Sequence, residues 1–344
     1  MKIGLVFDER LSIAEVNSRT WFNVKSIEAF HSSGVILQWI SGLNHLENLT
    51  IQNVYERMIP SLDRLFSLDL LCFSQCTMLE SLPNLPSNLE RLKILDSKIL
   101  NTTSYFPSMF RNLEISNCQC LTIIPILPAV LRCLEISVCS ILVYIPDLPM
   151  NLEILDLYMC GSLITIPKLP LNLQKLTILQ CRSLESIPDL PFNLQILNIS
   201  FCGNLKSIPK LPLYLQKLEI SRCHILKSIP DLPLNLQELE IYYCQSIESV
   251  PCLPSNLGTL KILHCVLLKT IPKLPLNLQN LEIYCCNKLE SIPYLPCDLQ
   301  MLDVSQCDSL TSIPKLPLKL LELEISCCKN LQSQWIRKKG IPVL

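Results

Sequence analysis

A chain of 344 residues with 29 Lys and Arg against 30 Asp and Glu has no bulk electrostatic footprint for nucleic acid or an anionic membrane surface. Hydrophobic residues make up 49%, which excludes a disordered Pro-rich polymer despite 25 Pro and only 7 Gly. The 19 Cys follow an N-terminal apolar stretch, Ile3 to Phe7, that is too short for a secretion signal, so reduced thiols and an intracellular, cytoplasmic location are expected. No run approaches the roughly 20 apolar residues of a membrane-spanning helix.

Residues 1–60 fit no regular pattern until Leu46, where Leu46-x-x-Leu49-x-Ile51-x-x-Val54 begins a degenerate repeat. Trp21, Phe22, Ile27, Phe30, Val35, Ile36, Leu37, Trp39 and Ile40 supply an apolar set suited to covering the open end of a stacked array. This segment is expected to be an N-terminal cap of strands and short helical turns. The alternative is a docking module, in an adaptor whose first 60 residues recruit a second component such as a ligase while the rest holds a target.

From residue 61 to 332 one period governs the chain. Stepping by 21 from Cys76 meets Ser97 and then Cys118, continuing through Cys139, Cys160, Cys181, Cys202, Cys223, Cys244, Cys265, Cys286 and Cys307 to Cys328. Twelve of the 19 Cys fall on this single phase, so the chain holds about 13 units without an insertion. One unit runs from Leu173 to Asn193 and reads L-x-x-L-x-I-x-x-C-x-x-L-x-x-I-P-x-L-P-x-N. Residues 333–344 leave the pattern and read as a short C-terminal cap, with a small basic patch at Arg337, Lys338 and Lys339.

The alternation of Leu176 and Ile178 with polar residues predicts a short strand with one buried face. Strands one unit apart would pair in parallel about 4.8 Å apart. Leu184, Ile187 and Leu190 are then expected to cover the buried face, as parallel sheets require. Pro188 and Pro191 lie three apart, the period of polyproline II, so the return segment is expected to be extended rather than helical. Asn88, Asn151, Asn172, Asn193, Asn235, Asn256 and Asn277 are expected at the tight corner entering each strand, where Asn side chains bond their own backbone.

The recurring L-x-x-L-x-I-x-x-C core resembles the leucine-rich-repeat signature over roughly four-fifths of the chain. The I-P-x-L-P segment is similar to that of short-repeat effectors of bacterial pathogens, of plant immune receptors and of proteins of large DNA viruses. The resemblance implies a leucine-rich-repeat solenoid of the α/β class, here mainly β. The parallel sheet would form a concave face and the return segments a convex one, with partners held on the concave face. The bacterial group usually has Asn where this chain has Cys. The plant group carries a phosphate-binding loop, and no G-x-x-x-x-G-K-[ST] occurs here.

A row of thiols invites a metal or disulfide reading, but metal ligands need a tetrahedral cluster rather than a row. No C-x-x-C pair occurs and only 4 His are present, so no metal and no cofactor are expected. The resemblance instead places the row inside, where Cys acts as a small hydrophobe with a weak donor. Cys285 and Cys327, each preceding a row member, fall outside it.

Outward residues of each strand carry the functional expectation. The middle column runs from Cys72 through Lys93, Glu114, Glu135, Asp156, Thr177, Asn198, Glu219, Glu240, Lys261, Glu282 and Asp303 to Glu324, and eight of these 13 are acidic. Like charges opposite one another destabilise a sheet, so the stripe suggests a partner with a basic patch. The following columns contribute Tyr158, Phe201, Tyr242, Tyr243, His264 and Tyr284, residue types enriched at binding hot spots, although aromatics also stack simply on their neighbours. The expected binding set is therefore Tyr158, Phe201, Glu219, Glu240, Tyr242, Tyr243, His264, Glu282, Tyr284 and Asp303. Open rows offer no pocket with convergent groups, so no catalytic residue is expected. These readings point to a monomeric, non-enzymatic module that binds a protein, and neither nucleic acid nor membrane.

Overall fold

The computed structural model describes residues 2–6, 24–31, 34–97, 106 and 110–331. Trp21, Phe22 and the C-terminal segment with Arg337, Lys338 and Lys339 lie outside the described residues. The chain packs as two compact units, Met1–Leu163 and Ile164–Leu344.

The first unit carries eight five-residue strands: β1 (Lys2–Val6), β2 (Ser26–Phe30), β3 (Asn48–Gln52), β4 (Leu70–Ser74), β5 (Arg91–Leu95), β6 (Asn112–Ser116), β7 (Cys133–Ser137) and β8 (Ile154–Tyr158). A short helix, α1 (Gly34–Ile40), lies between β2 and β3. Each strand pairs in parallel with its sequence neighbour. The ladder therefore begins within the first 60 residues, ahead of the first Cys of the row.

The second unit repeats the scheme with β9 (Lys175–Leu179), β10 (Ile196–Ser200), β11 (Lys217–Ser221), β12 (Glu238–Tyr242), β13 (Thr259–Leu263), β14 (Asn280–Tyr284), β15 (Met301–Ser305) and β16 (Glu322–Ser326). Register is kept to the residue, so Leu218 faces Leu239 and Ile220 faces Ile241. A slip of one residue would turn every Leu and Ile to the other face, which is why the period admits no insertion. The inward Leu and Ile of β9 to β14, from Leu176 and Ile178 to Leu281 and Ile283, are buried, as are Leu302 and Val304 of β15.

The return segments of the second unit contain no helix among the described residues. Leu184 and Ile187 are buried as the pattern predicts, but Leu190 is only half-buried. Leu169, Leu211 and Leu274 are buried, whereas Leu190, Leu232 and Leu316 are half-buried. The third leucine of the return thus closes the core in some units and not in others.

The corner asparagines differ from expectation in their partners. Nδ2 of Asn193 donates to the carbonyl of Leu171 at 3.1 Å, and Nδ2 of Asn277 to that of Ser255 at 3.0 Å. In the first unit Asn88 reaches Leu68 and Asn151 reaches Ala129 in the same manner. Each stitches one unit to the one before, rather than closing its own turn. The stacked corner leaves the preceding carbonyl without a ladder donor, and the amide reaches it across the unit spacing.

The Cys row is internal. The Cys244 thiol lies 3.4 Å from the carbonyl of Tyr242 and 3.7 Å from that of Ile220, so one S–H serves the backbone of its own unit and of the previous one. At the one substituted position, Ser97 Oγ donates to Leu95 O at 2.7 Å and accepts from Cys76 N at 3.2 Å. No row thiol is joined in a disulfide, and burial pushes Cys244 up to about 11 and Cys223 and Cys265 to about 12. Thiolate, not thiol, reacts with electrophiles. A maleimide reagent at neutral pH is therefore expected to label the exposed Cys120, Cys252, Cys297 and Cys327 in the native protein. The buried members of the row, Cys76 and Cys118 to Cys307, should react only after denaturation, and mass spectrometry of native label on Cys223 or Cys244 would contradict this packing.

Candidate protein-binding face

Every strand of the repeat ends in a residue with the left-handed backbone. Fifteen such non-glycine residues occur among the described residues, including Phe201 (φ 56), Arg222 (φ 52), Tyr243 (φ 54) and His264 (φ 55). Left-handed backbone costs an L-residue roughly 1–2 kcal/mol. It persists here because the N–H groups of this column donate to the last carbonyl of the next strand, Phe201 N to Ser221 O, Arg222 N to Tyr242 O and Tyr243 N to Leu263 O at 2.8 Å and His264 N to Tyr284 O at 2.7 Å. The backbone thus forces the side chains of consecutive units into one rim column.

In the second unit four consecutive members of that column, Phe201, Arg222, Tyr243 and His264, form a continuous stack, which Tyr284 joins from the end of β14. The Arg222 guanidinium carbon lies 4.6 Å from the Phe201 ring centroid and 4.6 Å from that of Tyr243. The opposite side of Tyr243 is covered by His264, stacked at 4.2 Å and 10°. Tyr284 closes the stack edge-on to His264 at 5.0 Å and 62°. Phe201, Tyr243, His264 and Tyr284 are brought together as the sequence suggested, but through Arg222, which the sequence reading passed over. Its signal was the 21-residue step from Phe201 to Arg222 to Tyr243.

Burial and the charge of Arg222 lower the basicity of His264 below the ordinary 6.5. At neutral pH the stack therefore holds one cation. A folded-state pKa below the unfolded one means that the unfolded chain binds the proton more readily, so this contribution to stability is complete above pH 6.5 and declines as pH falls below it. An NMR titration is expected to place His264 below 6.5, with Arg222→Gln moving it upward. An unmoved midpoint in the variant would remove Arg222 as a cause.

The middle column lies beside the rim. Glu219 faces Asn198 on one side and Glu240 on the other. Lys217 sits 3.0 Å from Glu238 and 3.8 Å from Glu240, and Lys261 pairs with Glu282 at 3.1 Å. Among the described residues Glu219 has no direct ion pair. Burial and the Glu240 carboxylate raise its pKa. The Tyr242 hydroxyl is pushed up by burial and by Glu240, with which it shares a hydrogen bond. Burial likewise raises Asp303, which accepts from Ser305 Oγ at 2.8 Å. Thr177 Oγ1 and Asn198 Oδ1, next along the column, are buried without a hydrogen-bond partner among the described residues. Tyr158 belongs to the first unit, at the end of β8.

A second surface was not anticipated. Leu171 (61% exposed), Leu234 (64%) and Leu276 (71%) recur at the corner entering the strands, and Phe192 there meets Tyr214 edge-on at 4.7 Å. Among the described residues no group of three or more His, Cys, Asp or Glu is placed to hold a metal ion, and no helix is long and apolar enough to cross a membrane.

No protein-family model matches the chain, and no curated protein is similar to it in sequence. Solved structures are similar in fold. The leucine-rich effector protein YopM from Yersinia pestis is 24% identical over 83% of this chain and 84% of its own, with a TM-score of 0.53. YopM from Yersinia enterocolitica WA-314 is 20% identical over 90% of this chain and 80% of its own, with a TM-score of 0.49. With a 21-residue period, parallel in-register strands and a buried Cys row, the chain has the fold of a leucine-rich-repeat solenoid, similar to that of YopM from Yersinia pestis.

Proposed function

We propose that the chain is a non-enzymatic interaction module that binds a protein through the outward strand face and rim of its second unit. The observation that carries this reading is the pre-assembled stack from Phe201 to Tyr284 together with a half-buried carboxylate, Glu219, that makes no direct ion pair among the described residues. Aromatic groups already ordered before binding contribute contact area at low entropic cost. The partner carries a basic patch that meets Glu219, Glu240, Glu282 and Asp303. Polyanionic nucleic acid would be repelled by the same column. The chain acts as a monomer inside the cell, without cofactor or metal. In the first unit, Tyr158 at the end of β8 is a separate candidate contact.

The test compares proteins captured by wild type, by Glu219→Lys/Glu240→Lys/Tyr242→Ala, and by the corner variant Leu234→Ser/Leu276→Ser. A partner held by wild type and the corner variant but lost by the first variant supports the reading. A partner lost only by the corner variant moves the site to the strand-entry corner. Circular dichroism of each variant checks the fold.

A further inference from the structure

Arg222 is the one permanent charge in the rim stack, and the stack leaves its recognition edge without a partner. Rings flank the guanidinium on two sides, Phe201 and Tyr243 each at 4.6 Å. The N–H donors of a guanidinium radiate in its own plane, so flanking rings leave the fork open. No ion pair or side-chain hydrogen bond joins Arg222 to an acid among the described residues, while Lys217 and Lys261 in the adjoining columns pair with Glu238, Glu240 and Glu282. A free arginine side chain loses rotamer entropy when it is fixed for recognition, and the flanking rings already restrict this one. Such a group is prepared for a planar oxyanion, which it holds through two parallel N–H···O bonds.

We propose that Arg222 is an oxyanion-recognition residue, receiving a side-chain carboxylate or a phosphorylated hydroxyl of the partner protein at the guanidinium edge between Phe201 and Tyr243. The assignment rests on the reading of the strand face as a protein-binding surface and adds the second half of the partner's chemistry. Glu219 and Arg222 are three residues apart, at most about 10 Å along the chain. The partner therefore presents a cation to the middle column and an anion to the rim, close together. A partner that is basic throughout meets Arg222 with repulsion, so this pairing also sets register and specificity.

The experiment titrates the full chain with sodium acetate and, separately, with sodium phosphate at constant ionic strength, following the Nε–H signals of arginine by NMR. Arg182, exposed and without an ion pair among the described residues, is the internal control. The Arg222 signal is expected to shift saturably while Arg182 responds weakly and linearly. Saturation with acetate assigns a carboxylate, and saturation with phosphate alone assigns a phosphorylated side chain. In Arg222→Lys the charge remains but the fork is lost, and the affinity read from the Tyr243 ring signals should fall about tenfold. Phe201→Leu should weaken it less, since one flanking ring remains. A linear response of Arg222 equal to that of Arg182 for both anions overturns the assignment, as does full affinity in Arg222→Lys. Because no partner is used, failure here with partner capture intact rejects the role of Arg222 alone. Failure of capture with anion binding intact rejects the strand-face reading.

Discussion

Leu239→Ala is expected to destabilise the protein by about 3 kcal/mol, whereas Leu234→Ala, five residues earlier, should cost less than about 0.5 kcal/mol. Leu239 is fully buried in β12 between Leu218 and Leu260 of the adjoining strands. Truncation there removes apolar contact and leaves a cavity that an in-register ladder cannot collapse, because moving one strand displaces its neighbours. In a repeat array each unit is held chiefly by the two beside it, so the loss is shared among three units and broadens the transition. Leu234 is 64% exposed at the corner, and its removal exposes nothing further. Urea unfolding of both variants measures the difference. Equal costs would mean that the Leu of the strand and the Leu of the corner have been assigned to the wrong faces.

Glu219→Gln is expected to stabilise the fold slightly and to weaken partner binding strongly. Burial and Glu240 raise the pKa of Glu219 in the folded protein. A carboxyl whose folded pKa exceeds its unfolded one binds more protons when folded, so its charged form costs stability as pH rises above the ordinary 4.5. The amide removes that cost at neutral pH, by at most about 0.5 kcal/mol for so accessible a group. A position retained for the fold alone would show no such conflict, and a gain in stability matched by a loss of function marks a residue kept for binding. For a carboxylate that meets a partner cation the loss of affinity is about 2 kcal/mol, roughly thirtyfold. Thermal unfolding at pH 7 and a binding isotherm with the captured partner read the two effects. Unchanged affinity would leave the acidic column as a polar surface only.

The architecture was legible because one period fixes so much. Once Cys181, Cys202 and Cys223 stand 21 apart, Leu176 and Ile178 fall on a buried strand face and Leu184 and Ile187 beneath it. The internal place of the Cys row was implied by the resemblance to the leucine-rich-repeat signature, in which that position faces inward. What the sequence hid were contacts between units. Asn193 marks a corner in the sequence, but its partner Leu171 belongs to the preceding unit and becomes visible only when the units stack. The left-handed residue after each strand was hidden for a different reason. Glycine or asparagine usually signals that backbone, whereas here the ladder hydrogen bond of Tyr243 to Leu263 imposes it on whatever residue follows the strand. Arg222 was missed as a consequence. Read alone it is a solvated cation, and only the stacked column places it between Phe201 and Tyr243. The half-exposed Leu190 shows a limit of the pattern, since an identical letter is buried at Leu211.

The central claim, that a protein partner seats on the strand face and rim of the second unit, is tested most directly by hydroxyl-radical footprinting of the chain with and without its captured partner. The account predicts that Phe201, Tyr242, Tyr243, His264 and Tyr284 become protected while Leu171, Leu234 and Leu276 keep their reactivity. Protection of the leucines with the aromatic rim unchanged would contradict it and place the interface at the strand-entry corner.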